Sequence, residues 1–252
     1  MNRPHSELRI EPPRDILDAA RAWLAPVRET LGSDFLGAFL TGSVLMQGFD
    51  PKHSRVNVVV VARELPSERL DRLREAMPVT RKAPHFDPLL LTQRQIENSL
   101  DSFPIEWLEM RERHLTLEGD DVLATLEVPN TYLRLQCEHD LRSKHILLRQ
   151  AYLASGRKAL ALKDVLKGSA SSFATLFRTL LRLRGEVTPA SQAQVIEKLA
   201  QLYRLDAEAL LGAHLVRFST RKYKADEVLA IYRKFLAEID RLVIAIDTLR
   251  VP

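Results

Sequence analysis

Residues Phe35 to Val61 read FLGAFLTGSVLMQGFDPKHSRVNVVVV. Phe35 to Thr41 is a short apolar run rich in strand formers, and Arg55 to Val61 is a second run, nearly all valine. Short apolar runs bounded by Gly, Ser, Asp and Pro read as strands of a buried sheet. Gly42-Ser43 follows the first run directly and opens a turn into a brief helical stretch. The order is strand, Gly-Ser turn, short helix, loop, strand, and it sets the character of the whole N-terminal half.

Around that segment the pattern is mixed. Asp15 to Leu31 places Ile16, Ala19, Ala20, Trp23, Leu24 and Val27 at helical spacing, with Gly32 just past the end. Pro66-Ser67 starts a helix through about Ala76, with Glu68 in its first turn. His85 to Leu91 reads as a third strand, which Pro88 confines to a sheet edge or a bulge. Thr92 reads as the N-cap of a helix through about Leu100. Phe103-Pro104 favours extended backbone, so a strand is expected across Ile105–Met110. Gly119-Asp120-Asp121 and Pro129-Asn130 bracket a short element, and a domain boundary is expected near residue 129. Beyond it Thr131 is expected to cap a long helix through about Ala154, with Leu133, Cys137, Leu141, Leu148 and Tyr152 as its apolar stripe. Helices follow at about 158–167, 170–184, 189–203, 206–213 and 224–249, an antiparallel bundle.

Composition narrows the function classes. The single cysteine, Cys137, rules out an internal disulfide and any Cys-rich zinc site. No run approaches ~18 apolar residues, so no membrane helix is expected. The N-terminal MNRPHSELRIEPPRD lacks the apolar core of a secretory leader, which makes a cytoplasmic protein the expectation. Charge is uneven: residues 1–128 hold 16 basic and 21 acidic side chains, residues 129–252 hold 21 and 12. A basic half attracts phosphate-bearing ligands or nucleic acid, although charge runs are most often solvated helix surface. Aromatics are sparse and read as not interleaved with the basic residues, which argues against base stacking.

The segment 35–61, with Ser54 ahead of the second strand, resembles the nucleotidyltransferase superfamily, the DNA polymerase β-like palm. A palm followed by a helical bundle is similar to the aminoglycoside nucleotidyltransferases. The resemblance implies an α+β fold: a small mixed-sheet palm over residues 1–129, then an α-helical bundle domain over 130–252. It also implies that Gly42 lets backbone approach a triphosphate and that Ser43 donates to it at a helix N-terminus. In the family the second strand reads Ser-Asp-hydrophobic-Asp, and its two carboxylates hold magnesium ions that clamp the attacking and leaving oxygens. Here Arg55 and Asn57 occupy those two positions. The third carboxylate of the family falls on Asp87 in one register and on Leu90 in another.

Asparagine offers a neutral and weaker oxygen. A guanidinium ~4 Å from the metal position repels Mg²⁺ by about 4 kcal/mol per unit of ion charge at an effective dielectric near 20. The nearest other carboxylates, Asp50 and Glu64, lack the two-residue spacing that places a pair on one strand face. Arg55 has two readings: it pairs with the phosphates of a nucleotide without metal, or it forms a salt bridge with Asp87 or Asp50.

Other constellations lie in the helical half. Arg134 and His139 resemble the Arg-x4–6-His motif of HEPN ribonucleases, although five residues on a helix separate side chains by about 140°. Arg134, Glu138 and Arg142 are spaced for an ion-pair ladder. Glu138 is alternatively the base that the family resemblance places on the helical domain. His145 reads as a packed histidine. The seven histidines show no metal-ligand spacing. Arg178, Arg182 and Arg184 with Lys163 and Lys167, and separately Arg217, Arg221, Lys222 and Lys224, are candidate basic faces.

The expected protein is thus a nucleotidyltransferase-fold chain with degenerate metal positions, binding a nucleoside triphosphate or a protein partner without transfer. Its expected nucleotide-binding residues are Gly42, Ser43 and Arg55. An active transferase, for which Mg²⁺ would be the cofactor, and an RNA-acting or interaction module using the basic helical half remain the alternatives.

Overall fold

A computed structural model describes residues 11–46, 49–51, 54–79, 83–156, 158–189, 191–247 and Leu249. The stretch read for a leader falls largely on residues 1–10, outside them. The chain divides into two compact units between Val128 and Pro129.

In the first unit, helix α1 (Arg14–Leu31) precedes strand β1 (Phe35–Thr41), a 3-10 turn at Gly42–Leu45 and strand β2 (Arg55–Ala62). Helix α2 (Ser67–Ala76) leads to β3 (His85–Thr92), α3 (Gln93–Glu97), α4 (Pro104–Glu112) and β4 (His114–Gly119). The sheet order is β3-β2-β1-β4. Strand β1 is antiparallel to both β2 and β4, while β2 and β3 are parallel. As Pro88 requires, β3 is an edge strand.

Alternation along the strands sends side chains to two separate cores. Ala38, Leu40, Val56, Val58 and Val60 pack with Trp23, Leu24 and Val27 of α1 and Leu73 of α2. Phe39, Val59 and Val61 pack on the opposite face with Ile96 of α3, Trp107 of α4 and Leu123. Strands β1 and β4 meet so closely at Gly119 (φ +86°) that a Cβ there would lie 2.2 Å from the Leu36 carbonyl oxygen. Only glycine fits that crossing.

Two local expectations fail here. Ile105–Met110 is helical, not extended, because Pro104 stands at the first helical position, where its missing N–H is no loss. The restraint that proline imposes on its predecessor stops at Phe103, which is non-helical at φ −129°, ψ 46°. Thr92 does cap α3 through a reciprocal capping box with Gln95, but α3 ends at Glu97 rather than near Leu100.

The second unit is a helical bundle: α5 (Asn130–Ser155), α6 (Leu162–Leu183), α7 (Gln192–Tyr203), α8 (Ala207–Phe218) and α9 (Ala225–Asp247). Helix α5 packs on α6 and α9, and α8 packs on α6, α7 and α9. The ring of Phe173 meets that of Phe235 edge-on at 5.4 Å, and the Tyr232 hydroxyl donates to the Leu148 carbonyl at 2.7 Å. Residue 129 rather than Thr131 precedes the first turn of α5, so Thr131 lies inside the helix. The two helices expected at 158–167 and 170–184 are one. Gly168 sits within α6, and burial of Leu162, Leu166, Phe173 and Phe177 on either side outweighs its unfavourable propensity of about 1 kcal/mol. Helix α8 also runs on to Phe218, beyond the expected 206–213. Among the described residues no helix is long and apolar enough to cross a membrane.

Candidate functional site

The site is built from the end of the sheet where β1 turns. Thr41 closes β1, and Gly42 follows at φ +78°, a backbone state that side chains with a Cβ rarely adopt. A Cβ on Gly42 would lie 2.9 Å from Asn57 Nδ2, so the turn and β2 are in close contact. The turn buries Val44 and Leu45 and leaves Ser43 exposed. The brief helical stretch expected here is a four-residue 3-10 helix, too short for much dipole to accumulate behind Ser43. Attraction for an anion here rests on individual N–H and O–H donors and on nearby cations.

Pairing across the sheet places four side chains in one row. Asn57 is opposite Thr41 on one side and Asp87 on the other, and Thr41 is also opposite His114. Asn57 shares its strand face with Val59 and Val61, and Thr41 shares its face with Phe39, so the row continues the second core surface out to solvent. Arg55 lies two residues before Asn57 on the same face. Its Nε is 3.7 Å from Asp87 Oδ1, with side-chain exposures of 64% and 59%. The register on Asp87 rather than Leu90 is therefore the one that meets the β2 positions. Of the two salt-bridge partners considered for Arg55, the pair that forms is with Asp87. An exposed pair of this kind contributes at most about 1 kcal/mol.

His114 escaped the sequence reading. Its ring is buried, edge-on to Phe39 at 5.6 Å. Nε2 lies 2.8 Å from Asp121 Oδ1, and Nδ1 lies 2.8 Å from the Met110 carbonyl oxygen. The imidazole is fixed at the closed end of the row, and nothing in its local spacing marks it.

Magnesium does not fit the donors present. The row offers one carboxylate (Asp87), one amide, one buried hydroxyl and the His114 imidazole, whose nitrogens already face Asp121 and the Met110 carbonyl, with the Arg55 guanidinium beside them. Two hard divalent ions need several anionic oxygens. Among the described residues no cluster of three or more His, Cys, Asp or Glu is placed to hold a metal ion. Asp50 is exposed, and its carbonyl accepts from the Ser54 N–H at 2.8 Å. Glu64 lies past the far end of β2, about 20 Å from Asn57 at ~3.3 Å per residue.

In the helical unit the ladder forms. Glu138 holds Arg134 and Arg142, each at 3.2 Å, and Arg142 continues to Asp247. Arg134 Nε also donates to the Leu249 carbonyl at 2.9 Å. His139 is 78% exposed and paired with Asp140, so Arg134 and His139 do not converge on one site. His145 is buried. Desolvation, aided by the Arg149 charge and opposed by Asp240, pulls its pKa below the usual histidine value. Its Nε2 lies 3.1 Å from Asp240 Oδ1 without the alignment of a hydrogen bond. Arg178 is buried and donates to Gln192 Oε1 and Thr175 Oγ1, each at 3.1 Å. The basic face expected from Arg178, Arg182 and Arg184 therefore loses its first member to the interior.

No known protein-family profile matches the sequence, and no curated protein does. Among solved structures the chain is similar to spectinomycin adenyltransferase AAD(9) from Enterococcus faecialis, a crystal structure with ATP and spectinomycin. Identity is 12%, 90% of this chain and 99% of that chain are covered, and the TM-score is 0.52. A nucleotidyltransferase-like protein from Exiguobacterium sibiricum is similar at 13% identity over 91% of this chain and 75% of that chain, with a TM-score of 0.36. The first likeness spans sheet and helical bundle alike and is a likeness of fold.

Proposed function

From a nucleotidyltransferase-like fold whose sheet end offers one carboxylate and one guanidinium, we propose a chain that binds a nucleoside triphosphate without transferring it. The nucleotide class is supported by the fold neighbour solved with ATP. The observation that carries the reading is the shared face of Arg55 and Asn57, beside the Gly42 turn and across from a single carboxylate, Asp87.

Arg55 supplies the positive charge that metal ions supply in an active transferase, and its planar fork suits phosphate oxygens. Ser43 donates its hydroxyl from the exposed side of the turn, and Gly42 keeps Cβ bulk away from the ligand. Phosphates must draw Arg55 off Asp87. The separation of 3.7 Å and the exposure of both partners make that exchange inexpensive. With no pair of carboxylates to hold ions on the attacking and leaving oxygens, the transfer step is left without its electrostatic support.

Calorimetric titration with ATP tests the reading. Binding is expected in EDTA, unimproved by Mg²⁺, and weakened about 10- to 100-fold by Arg55→Ala, the loss of one or two charge-assisted hydrogen bonds. Absence of binding in EDTA would refute it. So would incorporation of labelled AMP into any acceptor, if that activity were lost on Ser43→Ala.

A further inference from the structure

The end of α8 and the segment joining it to α9 read RFSTRKYK from Arg217 to Lys224: four cations, two aromatics and no acid. The expectation that aromatics stand apart from basic residues fails here. The Arg217 guanidinium lies over the Phe218 ring at 5.5 Å, and Arg221 lies over Tyr223 at 5.1 Å. Lys163 of α6 approaches the same Tyr223 ring at 5.6 Å. Lys167, one turn further along α6, accepts from Arg217 through its carbonyl at 3.2 Å.

From Ser219 to Lys224 the segment has no regular structure, yet its backbone is pinned. Glu227 accepts from the Lys224 N–H at 2.8 Å and pairs with Arg221, and the Ser219 hydroxyl oxygen accepts from the Arg221 N–H at 3.0 Å. Against it lies a cavity of about 230 Å³ lined by the apolar Ala209, Gly212, Leu215 and Ile231, by the aromatic Tyr223, and by the cations Arg221 and Lys234. Lys234 makes no ion pair among the described residues. Phe218, 67% exposed, stands at the end of the same helix face region.

We propose that this surface binds single-stranded nucleic acid, one base entering the cavity and the flanking phosphates lying on Arg221, Lys234 and Lys163. The cavity is smaller than the ~300–1,000 Å³ typical of whole-ligand pockets, so it suits one ring system with its phosphates left outside. Aromatic walls with a cationic rim are the usual means of holding unpaired bases. A duplex keeps its bases stacked and cannot fill the cavity; an acidic peptide offers charge without a ring. Glu208 also lines the cavity. A carboxylate repels phosphate but accepts from an exocyclic amino group, so the base is one that carries such a group, cytosine before thymine. The proposal lies wholly within the helical unit and is independent of ATP binding at the sheet.

The test is fluorescence anisotropy of the full chain with labelled twelve-nucleotide oligodeoxycytidine and oligothymidine at pH 7.5 and varied salt. The cytidine strand is expected to bind more tightly, with log K falling against log salt by about 0.7 per phosphate contacted. Lys234→Ala should reduce that slope by about one contact, and Tyr223→Leu should weaken binding roughly 10-fold. Leu215→Trp fills the cavity from an exposed position and should weaken binding with the slope unchanged. Each variant is checked for native helicity by circular dichroism. Equal affinity for the two strands, insensitivity to Leu215→Trp, or no binding at low salt would each overturn the proposal.

Discussion

Asn57 on β2 stands directly opposite Asp87 on β3, and the Arg55 side chain reaches back to that same carboxylate. One acid therefore borders both of these side chains. The double variant Arg55→Asp, Asn57→Asp would line up three carboxylates on one exposed face. It is expected to bind Mn²⁺, detected by loss of the free-ion electron paramagnetic resonance signal, whereas the parent chain leaves that signal intact. Because both positions are exposed, stability should stay within about 0.5 kcal/mol apart from carboxylate repulsion, which added manganese relieves. A double variant that ignores manganese would show that this sheet end is not shaped for metal at all.

Gly42 carries a second prediction. Its φ of +78° is unfavourable to any L side chain, and a Cβ would press on Asn57 Nδ2 at 2.9 Å. Gly42→Ala should destabilise the chain by about 1–2 kcal/mol in urea melts. The contact is with the far end of an exposed side chain that can move aside. The same loss is therefore expected in an Asn57→Ala background, which would separate backbone strain from steric contact. Recovery of stability in that background would reverse the attribution.

Acid should loosen the helical unit earlier than the carboxylates alone would. His145 and His214 are both held below the ordinary histidine pKa of 6.5, chiefly by burial, with Arg149 and Arg217 respectively adding to it. The unfolded chain binds these protons at higher pH than the folded chain does. Their contribution is complete above about pH 6.5 and is lost as the pH falls through the lowered values. Urea midpoints should decline between pH 7 and 5.5, and His145→Gln with His214→Gln should flatten that decline. An unchanged slope in the double variant would rule these residues out.

Cys137 should be chemically silent in the folded chain. It is fully buried on α5, and desolvation, reinforced by the Asp140 charge, pushes its thiol pKa far up. A disulfide-exchange reagent at pH 8 should label it only at the rate of unfolding, and rapidly once urea is added. Prompt labelling without denaturant would mean that α5 opens readily from the bundle.

Much of the palm was legible because its signals are local. A nearly all-valine run after Arg55 has few alternatives to a buried strand, Pro66-Ser67 announces a helix, and Pro88 assigns its strand to an edge. The failures have two causes, one local and one tertiary. Pro104 was judged by what it does to the residue before it, when its own position at the start of α4 decided the outcome. Gly168 looked like a break because its compensation comes from Leu166 and Phe173 packing against other helices. Tertiary packing also hides Arg178, which is buried and donates to Gln192 and Thr175, and His114, whose burial beside Phe39 is set by the pairing of β4 with β1. The interleaving of Phe218 and Tyr223 with arginines was on the page in RFSTRKYK, but only the neighbouring Lys163 and the cavity give it meaning.

The burial pattern of β2 carries a broader implication. Val56 and Val58 are wholly enclosed, while Arg55 and Asn57, which alternate with them, face water. Architecture and reactivity are thus written on interleaved letters of the same strand. Changing the second set leaves the first untouched, so the chemistry of this face can be exchanged without disturbing the core beneath it.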